Sequence, residues 1–213
     1  MTLNSQLEHG SPAIIAILRG VRPDEVVDIG RALVDAGIRI IEVPLNSPQP
    51  LASIERLAAS VGDHALIGAG TVVSANAVDA VAAAGGRLIV SPNTDPAVIS
   101  RALQRGLDPL PGAMTPTEAF AAIAAGARHL KLFPGGSSGP THLRALREVL
   151  PVECSVWAVG GANASNLSQW IAAGATGVGI GSSLYRSGIS VDVVRAHAAE
   201  LIAAWRAIDR SSA

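Results

Sequence analysis

The sequence has very little lysine and cysteine: Lys131 and Cys154 are the only residues of either kind among 213. A single cysteine excludes an internal disulfide framework, and it is typical of a protein from a reducing compartment. Lysine and arginine together number 16, and all of them except Lys131 are arginines, which are scattered along the chain. The net charge is −1. The sequence therefore lacks the basic patch expected of a protein that binds nucleic acid or an anionic membrane surface.

Long apolar segments are absent as well. The stretch from Ser155 to Tyr185 carries no charged residue, but asparagine, serine, glutamine and glycine interrupt it throughout. It therefore lacks the composition of a membrane-spanning helix. The opening residues, MTLNSQLEHGSP, show neither the basic nor the apolar region of a secretion signal. We expect a cytoplasmic protein with no membrane partner and no nucleic-acid partner.

Metal-ligand spacing is also missing. The histidines are far apart, with no H-x-x-x-H pair and no acidic cluster beside them; they are His9, His64, His129, His142 and His197. We therefore expect no metal site and no cofactor. His129 shares an alternation face with Lys131, which makes it a weak candidate for the border of a functional site.

Short apolar runs alternate with alanine-rich segments of helical periodicity along the whole chain. The runs that predict strands are 13–18, 38–45, 65–72, 87–92, 107–112, 129–134, 155–161 and 177–184. Glycine recurs where the helical segments end, and it supplies the left-handed turn from which a strand can begin. Eight strand–helix units predict a (β/α)₈ TIM barrel in which residues 1–213 form a single domain.

An open doubly wound sheet is the competing architecture. It would be expected to carry a glycine-rich dinucleotide turn after an early strand, and the segment LRGVRPDE lacks that spacing. The fifth strand is the least regular of the eight, because Pro109 and Pro111 have no N–H group to donate to a sheet.

Lys131 is the first candidate for chemistry, because active sites of such barrels lie at the carboxyl ends of the strands. The alternation in HLKLF places its side chain opposite Leu130 and Leu132, toward the barrel interior. A desolvated ammonium loses its proton readily, and a neutral amine is the nucleophile for Schiff-base chemistry on a carbonyl. A structural ion pair, for example with Glu42, explains the same position equally well.

Glu42 lies in the apolar strand segment RIIEVPL, where a carboxylate is costly unless it is paired or used. Beside a neutral lysine it could carry protons to and from the reacting atoms. Its alternative role is that of a partner for a basic residue inside the barrel. Together, a lysine nucleophile and a positioned carboxylate are the minimum set for a class I aldolase.

Polar and glycine residues at other strand ends predict the rest of a site. The pairs Gly160–Gly161 and Gly181–Ser182 follow the last two strands, where barrels of this class often bind phosphate through backbone N–H groups. Arg19 and Thr71 end the first and third strands and are donors suited to a carboxylate.

The order and spacing of these motifs resemble a known family. AILRG, IEVPLNSPQP, LIGAGTV, LIVSPN, PGAMTPTEAF, LKLFP, AVGG and GIGSSLY follow one another as in the 2-keto-3-deoxy-6-phosphogluconate/phosphogalactonate aldolases, over about residues 12 to 206. The segments ILRG and E-x-P-L-N-S-P look like the phosphogalactonate branch, whose members are 2-dehydro-3-deoxy-6-phosphogalactonate aldolases.

The resemblance implies a role for each candidate residue. Lys131 would form the Schiff base and Glu42 would be the general acid and base. Arg19 and Thr71 would contact the carboxylate end of a phosphorylated 2-keto-3-deoxy sugar acid. Its 6-phosphate would be held by Gly160, Gly161, Gly181 and Ser182. The products would be pyruvate and D-glyceraldehyde 3-phosphate, and the assembly would be a homotrimer, which is common in the family.

Three alternatives stay open at this point. The nearest is a phosphogluconate-type or 4-hydroxy-2-oxoglutarate aldolase, in which loop residues such as Asn46 and Ser47 would set the preference. A second is a metal-free phosphosugar isomerase or synthase that uses Lys131 only as a charge. A third is an inert phosphosugar-binding barrel, which would gain little from burying a lysine and a glutamate.

Overall fold

Short strands alternate with helices throughout residues 2 to 208, which the computed structural model describes. The strands are β1 (Ile14–Ile17), β2 (Ile40–Pro44), β3 (Leu66–Gly70), β4 (Leu88–Val90), β5 (Asp108–Leu110), β6 (Gly112–Ala113), β7 (His129–Leu132), β8 (Ser155–Val159) and β9 (Gly177–Ile180). The helices are α1 (Leu3–Glu8), α2 (Val26–Ala36), α3 (Pro50–Val61), α4 (Ala75–Ala83), α5 (Pro96–Gln104), α6 (Pro116–Ala124), α7 (Gly135–Arg147), α8 (Leu167–Ala172) and α9 (Val191–Arg206). Residues 1 and 209–213 of the predicted domain lie outside the described residues.

All strand pairs are parallel, in the order β5-β4-β3-β2-β1-β9-β8-β7-β6. The first strand lies between β2 and β9, so the sheet curls into a nearly closed barrel with the helices outside. The apolar side chains of the strands are buried, as parallel strands covered on both faces require. The prediction of a (β/α)₈ barrel is confirmed, and an open doubly wound sheet is excluded.

The predicted fifth strand is divided in two at Pro111. The first half, β5, pairs with β4, and the second half, β6, pairs with β7. Proline has no N–H group, so the ladder is interrupted there. The Pro111 carbonyl oxygen still accepts a 2.8 Å hydrogen bond from the Lys131 N–H group, which bridges the gap beside the catalytic candidate.

The first helix covers the amino-terminal end of the barrel. Leu3 is fully buried, and its N–H group donates a 2.6 Å hydrogen bond to the Asp108 carboxylate at the start of β5. This contact gives a structural purpose to an acidic residue in an otherwise apolar strand. The opposite, carboxyl-terminal end of the barrel is left for the loops that follow the strands.

Helix α7 begins earlier than the sequence pattern predicts. The periodicity favours a start at residue 140, whereas a first turn is already formed at Gly135. The backbone breaks between the two parts at Gly139, which has a φ of 74°, a conformation that glycine adopts without strain. The early turn brings Gly135 and Gly136 against the loop after β8, since a Cβ atom on Gly135 would lie 2.9 Å from the Val159 carbonyl oxygen. Among residues 2 to 208, no helix is long and apolar enough to cross a membrane.

Candidate active site

A cavity of about 250 Å³ lies at the carboxyl-terminal end of the barrel. Its walls come from β1, β2, β7, β8 and β9 and from the loops that follow them. Seven of the eight residues predicted from sequence line it; they are Arg19, Glu42, Lys131, Gly160, Gly161, Gly181 and Ser182. The eighth, Thr71, is not part of the lining.

The alternation of β7 directs Lys131 into this cavity between the buried Leu130 and Leu132. The side chain is 6% exposed, and its Nζ atom lies 4.4 Å from the centre of the Phe133 ring. Within the described part of the chain, every ion pair shorter than 4.0 Å involves an arginine, so the Lys131 ammonium has no carboxylate in direct contact. Burial lowers the pKa of Lys131; the charge of Glu42 raises it, and that of Arg19 lowers it further.

Glu42 points into the same cavity from β2 and is 2% exposed. Its Oε2 atom is buried and has no hydrogen-bond partner within the described segment 2–208. Burial raises the pKa of Glu42 to about 7, although Lys131, Arg19 and the Gly70 N–H group all act to lower it. At neutral pH the carboxyl group is thus poised between its acid and base forms.

Gly70, at the end of β3, makes room for this carboxyl group. A Cβ atom on Gly70 would lie only 2.1 Å from Oε2 and 2.4 Å from Oε1 of Glu42. Any larger residue there would displace the carboxyl group from its place beside the lysine. The motif LIGAG of the third strand is therefore part of the site, and no sequence pattern pointed to this function of its last glycine.

Arg19 lies at the rim, directly after β1. Its Nη1 atom donates a 2.7 Å hydrogen bond to the Asn46 side-chain oxygen in the loop after β2. The neighbouring Ser47 hydroxyl accepts a 2.9 Å hydrogen bond from the Gly20 N–H group. Asn46 and Ser47, which we expected to set the substrate preference, both form hydrogen bonds with the loop that carries Arg19.

Thr71 follows Gly70 and has a φ of 57°. A left-handed backbone is unusual for a β-branched residue and costs of order 1–3 kcal/mol. Backbone strain of this kind clusters at functional sites, where the surrounding structure holds it. The left-handed backbone of Thr71 therefore indicates a functional position in the loop next to Glu42. Its side chain does not line the cavity.

Two glycine-containing turns line the cavity side by side, after the neighbouring strands β8 and β9. Gly160 and Gly161, with φ of 98° and 78°, turn the chain after β8. After β9 the chain makes a helical turn, in which the Leu184 and Tyr185 N–H groups both donate to the Gly181 carbonyl oxygen at 2.9 Å. Within the described residues no protein acceptor pairs with the N–H groups of Gly161, Ala162, Ser182 and Ser183. Such free N–H groups suit an anion.

Two residues that the sequence patterns did not single out hold these turns in place. The Asn166 side chain accepts a 2.9 Å hydrogen bond from the Asn163 N–H group and donates one of 2.9 Å to the Gly161 carbonyl oxygen. Ser183 donates a 3.3 Å hydrogen bond from its hydroxyl to the Ala162 carbonyl oxygen, which joins the two turns. The polar run GANASN was the available signal, since asparagine often closes a turn on its own backbone.

His129 lies away from the cavity. Two residues before Lys131, at the amino-terminal start of β7, its Nδ1 atom is 2.5 Å from the Ser155 hydroxyl oxygen. Burial lowers the pKa of His129, while the charge of Asp108 raises it. The suggestion that it borders the site is therefore wrong, because sharing a face does not place two residues at the same depth. Residues 2 to 208 contain no group of three or more metal-ligating His, Cys, Asp or Glu side chains.

Comparison with known proteins agrees with this barrel. Residues 5–198 match the family described as "Aldolase: KDPG and KHG aldolase". The chain belongs to this family and is therefore an aldolase, a carbon–carbon lyase.

Three similar proteins each match about nine tenths of this chain. The 2-dehydro-3-deoxy-6-phosphogalactonate aldolase of Escherichia coli K12 is 49% identical over 193 residues, which cover 91% of this chain and 94% of that protein. A solved native KDPGal structure has a TM-score of 0.89 and 49% identity, with 91% of this chain and 94% of that chain covered. A cube-shaped protein cage, designed by fusing symmetric oligomeric domains, has a TM-score of 0.90 and 49% identity, with coverage of 92% and 72%.

The raised pKa of Glu42 predicts that this residue lowers stability. Because the folded-state pKa of about 7 exceeds the ordinary 4.5, folding is opposed as pH rises through that interval and the full cost is present above it. We expect Glu42→Gln to raise the free energy of unfolding above pH 7 by roughly 3 kcal/mol. The gain should fade as pH falls toward 4.5, and urea unfolding at several pH values measures it.

Glu118→Gln is the matched control, with the opposite sign. The Glu118 carboxylate accepts 2.8 Å hydrogen bonds from the Met114 and Thr115 N–H groups, and these bonds lower its pKa. Its substitution should reduce stability at neutral pH, with a deficit that shrinks in acid. Equal effects of both substitutions at every pH would contradict the burial of an uncompensated Glu42 carboxylate.

Proposed function

We propose that this aldolase cleaves 2-dehydro-3-deoxy-6-phosphogalactonate to pyruvate and D-glyceraldehyde 3-phosphate through a Schiff base on Lys131. The observation that carries the proposal is the buried Lys131 ammonium, which lines the cavity, has a lowered pKa and has no ion-pair partner among residues 2 to 208. A purely structural lysine would be expected to form the direct ion pair that is missing here. The name of the E. coli relative supports the choice of substrate.

The first stage joins the substrate to the enzyme. The neutral Lys131 amine attacks the C2 ketone and gives a carbinolamine. Glu42, which at neutral pH is partly in its acid form, gives a proton to the departing hydroxyl group. Water leaves, an iminium ion remains on Lys131, and Glu42 becomes a carboxylate in the position of a base.

The second stage breaks the carbon–carbon bond. Glu42 takes the proton of the C4 hydroxyl group while the electrons of the C3–C4 bond move into the iminium ion. D-glyceraldehyde 3-phosphate leaves and an enamine remains on Lys131. Protonation at C3 by Glu42, followed by hydrolysis, returns the water lost earlier and releases pyruvate with the free amine. One carboxyl group can serve every step because its pKa lies near the working pH.

The two ends of the substrate fit the two ends of the cavity. The Arg19 guanidinium, fixed by Asn46, would bind the C1 carboxylate, and Thr71 would assist from the loop after β3. At the other end, the free N–H groups of the turns after β8 and β9 would bind the 6-phosphate. Gly160, Gly161, Gly181 and Ser182 belong to these turns. We propose that all six positions contact substrate in this way.

We also propose that the protein acts as a single-domain barrel in the cytoplasm, as a homotrimer, without a cofactor. The family resemblance supports the trimer. The likeness to a chain of the designed cage, which was built from symmetric oligomeric domains, is consistent with symmetric self-association. The lone Cys154 supports a reducing compartment.

The Schiff base can be tested at one residue, since the chain has one lysine. Borohydride added with pyruvate should fix a pyruvate-derived group on Lys131 of the native protein, detected by peptide mass spectrometry. Lys131→Arg keeps the positive charge but removes the nucleophile, so it should abolish both labelling and aldol cleavage. Glu42→Gln keeps the amine and should slow cleavage by roughly 10²–10⁴.

An unlabelled native protein would contradict the mechanism and favour an isomerase or synthase that uses Lys131 only as a charge. Substantial activity in Lys131→Arg would do the same.

Substrate preference is tested with the two C4 epimers side by side. Pyruvate release from the 2-keto-3-deoxy-6-phospho acid of the galactonate series should exceed release from the gluconate epimer. The reason is that the E-x-P-L-N-S-P loop, which is placed against Arg19, resembles the phosphogalactonate branch. Faster release from the gluconate epimer would be consistent with the Schiff base but would contradict the proposed substrate. It would identify the substrate as that of the phosphogluconate-type aldolases.

A further inference from the structure

Tyr185, the only tyrosine in the chain, ends the helical turn after β9. It is 2% exposed, yet its hydroxyl group has a polar partner: it donates a 2.9 Å hydrogen bond to the Glu25 carboxylate. Hydrogen bonds to an ionised carboxylate are stronger than those between neutral groups. The mechanism proposed above uses neither residue.

Glu25 belongs to the loop after β1, the loop that begins with Arg19. Its carboxylate accepts a 3.1 Å hydrogen bond from the Arg22 N–H group and lies 3.4 Å from the Arg22 guanidinium. Near its start the same loop is held from the other side, where the Gly20 N–H group donates to the Ser47 hydroxyl. The loop between Arg19 and Glu25 is thus fastened at both ends.

Other contacts hold the turn after β9 but do not reach the Arg19 loop. Arg186 donates a 2.9 Å hydrogen bond to the Ser182 carbonyl oxygen, and the His197 Nδ1 atom lies 3.1 Å from the Leu184 carbonyl oxygen. Across residues 2 to 208, the bond from Tyr185 to Glu25 is the one hydrogen bond between these two loops. It joins the loop at the carboxylate end of the cavity to the turn at the phosphate end.

We propose that Tyr185 and Glu25 are positioning residues that set the separation between the Arg19 guanidinium and the anion-binding N–H groups of the turn after β9. This inference rests on the proposed function, because it concerns a substrate that carries an anionic group at each end. A substrate held at both ends needs the correct separation. A substrate without the phosphate needs only the Arg19 end.

Kinetics with and without the phosphate test the proposal. Tyr185→Phe keeps the buried ring and removes only the hydroxyl group. For 2-dehydro-3-deoxy-6-phosphogalactonate we expect KM to rise roughly tenfold while kcat changes little. This is the effect expected when substrate binding is weakened by about the contribution of one charged hydrogen bond. For the unphosphorylated 2-dehydro-3-deoxygalactonate, kcat/KM should stay at the native value. Glu25→Ala should behave like Tyr185→Phe, and Glu25→Gln, which retains an acceptor, should recover most of the loss.

Double substitution and a matched control separate positioning from general loss of stability. Tyr185→Phe combined with Glu25→Ala should raise KM no further than Glu25→Ala alone, because Glu25→Ala already removes the bond to Tyr185. Asp79→Asn disrupts the contacts of Asp79 with Arg101, at 2.9 and 3.0 Å between α4 and α5. Asp79→Asn should affect stability, but it should leave unchanged the ratio of kcat/KM for the phosphorylated substrate to kcat/KM for the unphosphorylated one.

The single tyrosine also gives a spectroscopic signal. Burial raises the pKa of the Tyr185 hydroxyl, and Glu25 raises it further through the hydrogen bond and its charge. In the native protein the near-ultraviolet absorbance of the phenolate should therefore appear well above the ordinary pH of about 10. In Glu25→Gln it should appear at lower pH. An unchanged midpoint would show that the bond is absent in solution and would overturn the proposal.

The outcomes distinguish this proposal from the proposed function. Equal losses on both substrates, or no loss on either, in Tyr185→Phe would overturn the positioning role while the native enzyme still cleaves and labels. Native protein that neither releases pyruvate nor becomes labelled at Lys131 would instead refute the proposed function, and with it the basis of this inference.

Discussion

The arrangement on which the rest of the site depends is a lysine and a glutamate buried in one small cavity without direct contact. A close ion pair would satisfy both charges and leave both side chains chemically inert. Held apart, each is desolvated and only partly compensated by the other, so burial shifts both toward their neutral forms. A neutral amine and a partly protonated carboxyl group are what Schiff-base chemistry needs at neutral pH. The stability that this arrangement costs must be recovered from the apolar strands and helices around it.

Two backbone features of the barrel hold Lys131 and Glu42 in this arrangement. Gly70 leaves the volume that the Glu42 carboxyl group occupies, and the Pro111 carbonyl group anchors the Lys131 backbone where the sheet is interrupted. Above them, the loops are tied to one another by side chains: Ser47 to Gly20, Ser183 to Ala162, and Tyr185 to Glu25. The loops that carry the proposed binding groups, above the Lys131–Glu42 pair, are therefore joined to one another. A barrel with free loops would have to order them at every binding event.

Much of this organisation could be predicted from the sequence because the determining signals are local. Alternation in HLKLF places Lys131 inside the barrel, and the carboxylate in the apolar segment RIIEVPL marks Glu42 as paired or used. The pairs Gly160–Gly161 and Gly181–Ser182 after the last strands mark the two turns. The remaining features depend on tertiary register. The depth of His129, the room made by Gly70 and the left-handed backbone of Thr71 follow from neighbours distant in the chain. The early start of α7 was missed because a glycine-rich turn carries no hydrophobic periodicity. The fifth strand was flagged by its prolines, but only the structure shows where it divides.

The most direct test of this account is the pKa of the Lys131 amine itself. Since the chain has one lysine, protein grown with lysine labelled at the ε-carbon gives a single side-chain resonance whose shift can be followed with pH. We expect a titration midpoint below the ordinary value of about 10.4. In Glu42→Gln we expect a still lower midpoint, because the Glu42 charge favours the ammonium. A midpoint at or above the ordinary value, unchanged by Glu42→Gln, would show an ammonium that is solvated or paired, and would contradict a desolvated Lys131 amine held apart from Glu42.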